Sequence, residues 1–253
     1  MRNASSTSWT RRKSKVEAVL VGLDPDSYEF PDPQQALHEP NGLLAVGGDL
    51  SVPRLVEAYR QGIFPWFSDG DPLLWWSPDP RAVIDPQQLH IGRSLRKAIR
   101  KSHLHCTINH AFEEVISACS EQRAEREGTW ITDDMYEAYC DLHQAGHAHS
   151  VEVWDKERLV GGLYGVLNGS IFCGESMFHK VTNASKIALV ALCHHLQPAG
   201  LKLIDCQMPT PHLESLGATS LSRSEFLKHL KRFGEAQIDK DFLLAQPISG
   251  ICA

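Results

Sequence analysis

Two apolar segments of the 253-residue chain contain carboxylates in positions that suit chemistry on an amine. Glu175 lies within FCGESMF (172–178), and Asp205 lies within LIDCQ (203–207). An ionised group among apolar strand residues is costly unless it has a partner, so each acid indicates cation binding or polarisation of a neighbour. A polar strand edge, or pairing with a structural Lys or Arg, explains the same pattern without any function.

Gln207 follows Asp205 by two residues, and strand alternation predicts that both side chains lie on one face. A carboxylate beside an amide makes an acceptor pair for the N–H groups of an amine. An ordinary solvent-facing strand is the alternative interpretation, and spacing alone favours it.

Metal and common nucleophile motifs are weak or missing. Among 13 histidines, His143, His147 and His149 lie close in sequence, but Gly146 interrupts the helix that would place the first two on one face. No GxSxG, P-loop or GxGxxG string occurs. The seven cysteines are scattered without a CxxC pair, which favours reduced thiols in a cytosolic protein and leaves a Cys–His pair open.

The charge balance gives a mixed signal about nucleic acids. A net charge of −6 argues against a general nucleic-acid binder. However, one predicted helix over 91–101 carries a basic stripe at helical spacing without an acidic residue: Arg93, Arg96, Lys97, Arg100 and Lys101. Like charges on one face repel unless an anion neutralises them, so the stripe predicts contacts with phosphates. A solvated helix face is the simpler alternative.

Aromatic side chains cluster before residue 77 and again at Trp130. The cluster comprises Phe64, Trp66, Phe67, Trp75 and Trp76. Such residues either fill a core between two domains or line a pocket for a flat or apolar ligand.

Periodicity and capping signals place these residues on a mixed sheet. The pattern predicts helices over 91–101, 110–120 and 184–196, and further helices that start after Ser51, Thr132 and Ser222. Strands are predicted at 149–154, 158–166, 170–178 and 201–207, the first three as an antiparallel meander. The sequence therefore predicts an α+β fold.

A proline-rich segment, SPDPRAVIDP (77–86), predicts a domain boundary. We expect a disordered tail over 1–27, a small N-terminal domain over 28–79 and a larger mixed-sheet domain over 80–253. Apolar stretches such as 187–193 are far shorter than the ~20 residues that span a bilayer, so no membrane segment is expected.

Nine collinear strings resemble the leucyl/phenylalanyl-tRNA–protein transferases. The similarity runs from about Phe30 to Leu227, and the strings are EPNGLLAVGGDLS, AYRQGIFPWF, LLWWSPDPRAV, GTWIT, HAHSVEVW, LVGGLYGV, FCGESMF, ASK and LIDCQ. The resemblance implies a bacterial cytoplasmic aminoacyltransferase with a small N-terminal α/β domain and a larger domain like the GNAT acetyltransferases. It would move Leu or Phe, less readily Met, from Leu-tRNA or Phe-tRNA onto proteins that begin with Arg or Lys. Such products are degraded through the N-end-rule adaptor and Clp protease.

The resemblance also assigns roles to residues. Asp205 and Gln207 become the catalytic pair, with Asp205 polarising the amide of Gln207, and Glu175 receives the cationic side chain of the acceptor. The aminoacyl and adenosine pocket is implied to comprise Tyr59, Trp66, Trp130, Tyr139, Leu163, Phe172, Met177, Leu192 and Ile204. The stripe would bind tRNA phosphates, and no cofactor or metal is implied.

Two other classes of protein stay open. An acetyl-CoA-dependent acyltransferase would need Q/R-x-x-G-x-G/A, and the nearest string, QPAGLK from Gln197, departs from it. A non-catalytic tRNA-binding protein explains the stripe but not Glu175, Asp205 and Gln207. Within the family pattern, Leu163 stands where well-known members have Met, and Leu192 stands where a bulkier aromatic is expected. These changes alter the pocket volume and therefore bear on donor preference.

Overall fold

The computed structural model describes residues 20–124 and 131–251. Within these ranges the chain forms two mixed sheets flanked by helices, which confirms the α+β class. No helix in these ranges combines the length and apolar character needed to cross a bilayer.

The first sheet has four short strands in the order β1-β2-β4-β3. Its strands are β1 (Val21–Leu23), β2 (Leu43–Gly47), β3 (Phe64–Pro65) and β4 (Leu74–Trp76). Strand β1 pairs parallel to β2, so ordered structure extends into the segment predicted as a tail. Residues 1–19 of that segment lie outside the described ranges.

The second sheet has eight strands in the order β11-β5-β10-β9-β8-β7-β6-β12. Its strands are β5 (Arg81–Ile84), β6 (His105–Ile108), β7 (Ala148–Asp155), β8 (Arg158–Asn168), β9 (Ile171–His179), β10 (Leu203–Gln207), β11 (Thr219–Leu221) and β12 (Gln246–Ile248). The predicted meander is confirmed as β7, β8 and β9. Strand β10 runs parallel to β9 and antiparallel to β5.

Seven α-helices occur in the described part of the chain. They are α1 (Val52–Arg60), α2 (Arg93–Lys101), α3 (Phe112–Ala124), α4 (Asp133–Gln144), α5 (Ala184–Leu196), α6 (Pro211–Glu214) and α7 (Arg223–Phe233). Thr132 caps α4, and Ser222 with Glu225 forms the predicted capping box of α7. Ser51 precedes α1 as predicted, but its side chain makes no capping hydrogen bond.

Two apolar cores cover the two faces of the large sheet. One core joins α1, α3, α4 and the small sheet, and it includes Trp75 beside Val83 and Tyr164. The other core surrounds α5, which is buried along almost its whole length, and it includes Leu163, Phe172 and Ile204. The chain passes from the small sheet to the large one between β4 and β5, at the predicted boundary, yet one core contains residues of both sheets.

Candidate active site

A cavity of about 340 Å³ opens between β9 and the end of β10. Its lining residues are Phe64, Pro65, Trp66, Leu163, Tyr164, Phe172, Gly174, Glu175, Ser176, Met177, Leu189, Leu192, Ile204, Cys206, Gln207, Met208, Thr210, His212 and Leu213. The wall toward α5 is apolar, and Glu175 and Gln207 supply polar groups at the strand ends. A mostly apolar cavity with a few convergent polar groups is the usual form of a small-molecule site.

Both polar residues lie at β-bulges. On β9 the pairs Gly165–Gly174 and Tyr164–Ser176 leave Glu175 as the additional residue. On β10 the pairs Asp205–Val83 and Gln207–Ala82 leave Cys206 without an opposite residue. A bulge redirects side chains and ends regular pairing, and bulges are frequent beside active sites.

Asp205 is fully buried in a bidentate ion pair with Arg81. The Arg81 Nε and Nη2 atoms lie 2.8 and 2.7 Å from the Asp205 Oδ1 and Oδ2 atoms. The guanidinium also donates to the Gly62 carbonyl at 3.2 Å and lies 4.9 Å from the Phe64 ring centroid. Burial alone would lower the pKa of Arg81, but the charge of Asp205 raises it above its usual value. The guanidinium therefore stays charged in the interior.

Gln207 is held in a left-handed conformation with φ of 63°. Its backbone N–H donates to Asp205 Oδ1 at 2.9 Å, and its Nε2 donates to Glu175 Oε1 at 2.8 Å. Because the amide nitrogen faces Glu175, the carbonyl oxygen is the free end of this amide, and no described group donates to it. The side chain lines the cavity, so this oxygen is available to accept an N–H of a bound amine.

Glu175 is buried behind Gln207 and contacts two tyrosines. Its Oε2 accepts from the Tyr139 hydroxyl at 3.1 Å, and the Tyr139 and Tyr59 hydroxyl oxygens lie 2.5 Å apart. Burial raises the pKa of Glu175 to about 7, and the hydrogen bonds it accepts only partly oppose that effect. Burial and the nearby Glu175 charge raise the pKa of Tyr139 well above its usual value, so this phenol remains protonated.

The sequence predictions for this site need two corrections. Asp205 and Gln207 do not share a face by simple alternation, because the bulge at Cys206 intervenes. Asp205 does not polarise the Gln207 amide either, since its oxygens contact Arg81 and a backbone N–H while the amide contacts Glu175. Sequence reasoning missed Arg81, whose only signal is its place in LLWWSPDPRAV.

The predicted pocket residues divide into three groups. Six line the cavity, namely Trp66, Leu163, Phe172, Met177, Leu192 and Ile204. Tyr59 and Tyr139 lie outside its lining and are almost fully buried behind Glu175, because their hydroxyls hold that carboxylate rather than face a ligand. Trp130 lies outside the described ranges. The lining also includes residues that sequence reasoning did not single out, such as Leu189, Met208 and His212.

The basic stripe lies on the exposed face of α2. Arg93, Arg96, Lys97, Arg100 and Lys101 are all exposed, and Leu95 and Ile99 point into the core as the spacing predicts. Among the described residues, none of these five cations forms an ion pair. The stripe is therefore open to an external anion.

Two family models match most of the chain. The model of the leucyl/phenylalanyl-tRNA protein transferase N-terminal domain matches residues 48–79, and the leucyl/phenylalanyl-tRNA protein transferase model matches residues 83–231. The chain belongs to the leucyl/phenylalanyl-tRNA–protein transferase family. As a member, this transferase is an aminoacyltransferase, which argues against both an acetyl-CoA enzyme and a protein that only binds tRNA.

Two sequence relatives agree with this assignment. The leucyl/phenylalanyl-tRNA–protein transferase of Edwardsiella ictaluri is 61% identical over 83% of this chain and 86% of its own length. That of Idiomarina loihiensis is 55% identical over 91% and 98%. A crystal structure of a conserved protein of unknown function from Bacteroides thetaiotaomicron aligns with a TM-score of 0.41 at 12% identity, over 54% of this chain and 53% of that one.

The stability of the transferase should fall as Glu175 ionises. Its pKa is about 7 in the folded chain against an ordinary value of 4.5, so between these values the folded state holds a proton that the unfolded state has lost. Stability linked to this group is therefore complete below pH 4.5 and is lost as the pH rises through 7. Between pH 4.5 and pH 8 we expect the free energy of unfolding of the Glu175→Gln variant to rise by about 3 kcal/mol relative to that of the native chain.

Urea denaturation of both chains at the two pH values measures this difference. Glu235→Gln changes an exposed carboxylate and serves as the matched control. A stability difference between Glu175→Gln and the native chain that is equal at pH 4.5 and pH 8 would contradict the prediction.

Proposed function

We propose that the transferase moves Leu or Phe, less readily Met, from aminoacyl-tRNA to the N-terminal α-amine of proteins beginning with Arg or Lys. The reaction takes place in the bacterial cytoplasm without a cofactor, and it marks the product for the N-end-rule adaptor and Clp protease. The observation that carries this proposal is the free carbonyl oxygen of Gln207, fixed by Glu175 at the edge of an apolar cavity.

The donor's side chain occupies the apolar wall of the cavity. Leu163, Phe172 and Ile204 form this wall together with Leu189 and Leu192 of α5. Burying a Leu or Phe side chain stabilises a complex by about 1.5–3 kcal/mol, and a polar or charged side chain would lose its hydration without a partner. Apolar donors are therefore selected by transfer free energy rather than by hydrogen bonds.

The reaction is the aminolysis of an ester. The acceptor amine forms a C–N bond with the aminoacyl carbonyl carbon, and the bond to the terminal ribose oxygen breaks. Gln207 accepts an N–H of the amine and so holds its lone pair toward the carbonyl. A neutral amide is too weak a base to keep the proton, so water or the neighbouring ribose hydroxyl carries it to the departing ribose oxygen, which leaves as a hydroxyl. Asp205 does not take it, because the guanidinium of Arg81 engages both of its oxygens.

Charge selection of the acceptor falls to Glu175. A cationic side chain at the acceptor's first residue, arriving beside Gln207, meets this carboxylate across the cavity edge. A cation nearby favours the ionised form of a carboxyl group, so an Arg or Lys residue offsets the desolvation that raises the pKa of Glu175. An acceptor with an apolar first residue does not offset the desolvation of the Glu175 carboxylate, which supports a preference for Arg and Lys.

The stripe on α2 binds tRNA phosphates in this proposal. We expect the triple replacement of Arg93, Lys97 and Arg100 by Gln to weaken tRNA binding and to reduce its salt dependence. The slope of log affinity against log salt is negative, and on a duplex each lost phosphate contact reduces its magnitude by about 0.9. The triple replacement should therefore reduce that magnitude by about 2–3. Titration with Phe-tRNA between 50 and 200 mM salt measures it.

The matched control replaces three exposed cations of α7, Lys228, Lys231 and Arg232, by Gln. This triple variant has the same change in net charge and should keep the slope of the native chain. A slope that stays unchanged after the α2 replacement, or that falls equally in the α7 control, would show that the stripe does not contact tRNA.

One assay tests the proposed function directly. The chain is incubated with labelled Phe-tRNA and a peptide that begins with Arg, and a parallel reaction contains labelled acetyl-CoA instead. Label on the peptide from Phe-tRNA alone supports the proposal. Label from acetyl-CoA, or tRNA binding without transfer, would refute it in favour of an acetyltransferase or a binding protein.

A further inference from the structure

Among the described residues, the gap between β9 and β10 leaves the backbone of Met177 without a strand partner on the side away from β8. The parallel pairing of these strands ends at Cys173 and Asp205, whereas β9 continues to His179. Beyond the pairing, the bulge at Cys206 and the left-handed Gln207 turn the chain away from β9. Met177 therefore has β8 on one side and lines the cavity.

The direction of the backbone groups along this edge follows from the hydrogen bonds near its end. The Lys180 N–H donates to the Val160 carbonyl at 2.7 Å, so the backbone of Lys180 faces β8. In a strand successive residues present their N–H and C=O groups to opposite sides, so those of His179 and Met177 face away from β8. Within the described residues, no hydrogen bond reaches the Met177 backbone from that side.

Gln122 already occupies the neighbouring position on this edge. Its Nε2 donates to the His179 carbonyl at 2.8 Å, and its Oε1 accepts from the His179 N–H at 3.3 Å. A side-chain amide thus makes the paired donor and acceptor contacts that a peptide group of an added strand would make. It also marks the end of the edge, so that among the described residues the Met177 backbone is the part still available for pairing.

We propose that the acceptor polypeptide binds this open edge of β9 as a short added strand, paired with the backbone of Met177. The inference rests on the proposed function, which requires the acceptor amine at Gln207. Met177 lies two residues beyond Glu175 along β9, or about 7 Å. An extended acceptor whose amine contacts Gln207 covers this length with its first two or three residues, so one of their N–H groups donates to the Met177 carbonyl.

Backbone pairing explains how many different proteins can serve as acceptors. Main-chain hydrogen bonds supply affinity that does not depend on the residues after the first, whereas Glu175 reads the charge of the first side chain. The edge therefore binds extended, unfolded N-termini of any sequence and rejects an N-terminus that is already part of a helix.

Backbone-ester peptides test the pairing. An eight-residue acceptor with N-terminal Arg is compared with versions in which an ester oxygen replaces the N–H of residue 2, 3 or 6. We expect one of the esters at residues 2 and 3 to lower kcat/KM about tenfold and the other to change it less than twofold, because adjacent N–H groups point to opposite sides. The ester at residue 6 lies beyond the edge and serves as the matched control.

The outcomes separate this inference from the proposed function. Equal kcat/KM values for all four peptides, or equal losses at residues 2, 3 and 6, would overturn the added strand while transfer to the all-amide peptide continues. No transfer to the all-amide peptide would refute the proposed function itself.

Discussion

Replacing Gln207 with alanine is expected to reduce kcat/KM for transfer of Phe to an Arg-initiated peptide by about 100-fold or more. The amide presents a free acceptor oxygen at the cavity edge, where Glu175 and the left-handed backbone fix it. Without it the acceptor can still bind, but its amine is no longer oriented toward the carbonyl carbon. Loss of positioning alone commonly lowers the rate by about two orders of magnitude. Steady-state kinetics with labelled Phe-tRNA measures the effect.

Donor binding should not follow activity in this variant. The dissociation constant for Phe-tRNA is expected to stay within about twofold, because the apolar wall and the α2 stripe are untouched. Gln197→Ala, which removes an exposed glutamine after α5, is the matched control and should retain full transfer. The proposed role of Gln207 would be abandoned if Gln207→Ala and Gln197→Ala gave equal rates.

Removal of one partner of the buried ion pair is expected to have the largest effect on stability. Asp205→Ala leaves the Arg81 guanidinium buried and without its bidentate partner. Loss of one member of such a pair typically lowers the free energy of unfolding by about 3–5 kcal/mol. Guanidinium denaturation of the variant and the native chain measures the difference.

An exposed pair in the same chain provides the control. Arg60 and Glu57 lie 3.9 Å apart with 65% and 35% of their side chains exposed, so Glu57→Ala should cost less than about 1 kcal/mol. The double replacement Arg81→Met with Asp205→Leu removes both charges and should recover much of the lost stability. A loss below 1 kcal/mol for Asp205→Ala would mean that Arg81 finds another partner or water.

Local signals in the sequence predicted most elements of the large sheet. The meander of β7, β8 and β9, the helix α5 and the capping box of α7 all follow from periodicity, turn residues and caps within a few positions of each other. Exposure of the α2 stripe was predictable for the same reason, since helical spacing alone separates its cations from Leu95 and Ile99.

Contacts between distant segments were not predictable in the same way. Arg81 meets Asp205 across 124 positions of sequence, and Tyr59 meets Tyr139 across 80. LIDCQ has no signature of its bulge, and Gly174 in FCGESMF is only a general signal of one; the bulges decide that the Gln207 side-chain amide contacts Glu175 rather than Asp205. The residue types of the site could be read from the sequence, but their partners depend on the order and register of the strands in the sheet.

The Gly62 carbonyl and the Tyr59 hydroxyl reach the site from the first, proline-rich part of the chain. Gly62 accepts from Arg81, and Tyr59 contacts the phenol that holds Glu175. The segment before β5 is therefore not a detachable module, and a fragment that begins at β5 would lack groups that fix both halves of the active site. Limited proteolysis or a split-enzyme design between β4 and β5 would yield pieces that function only when reassembled.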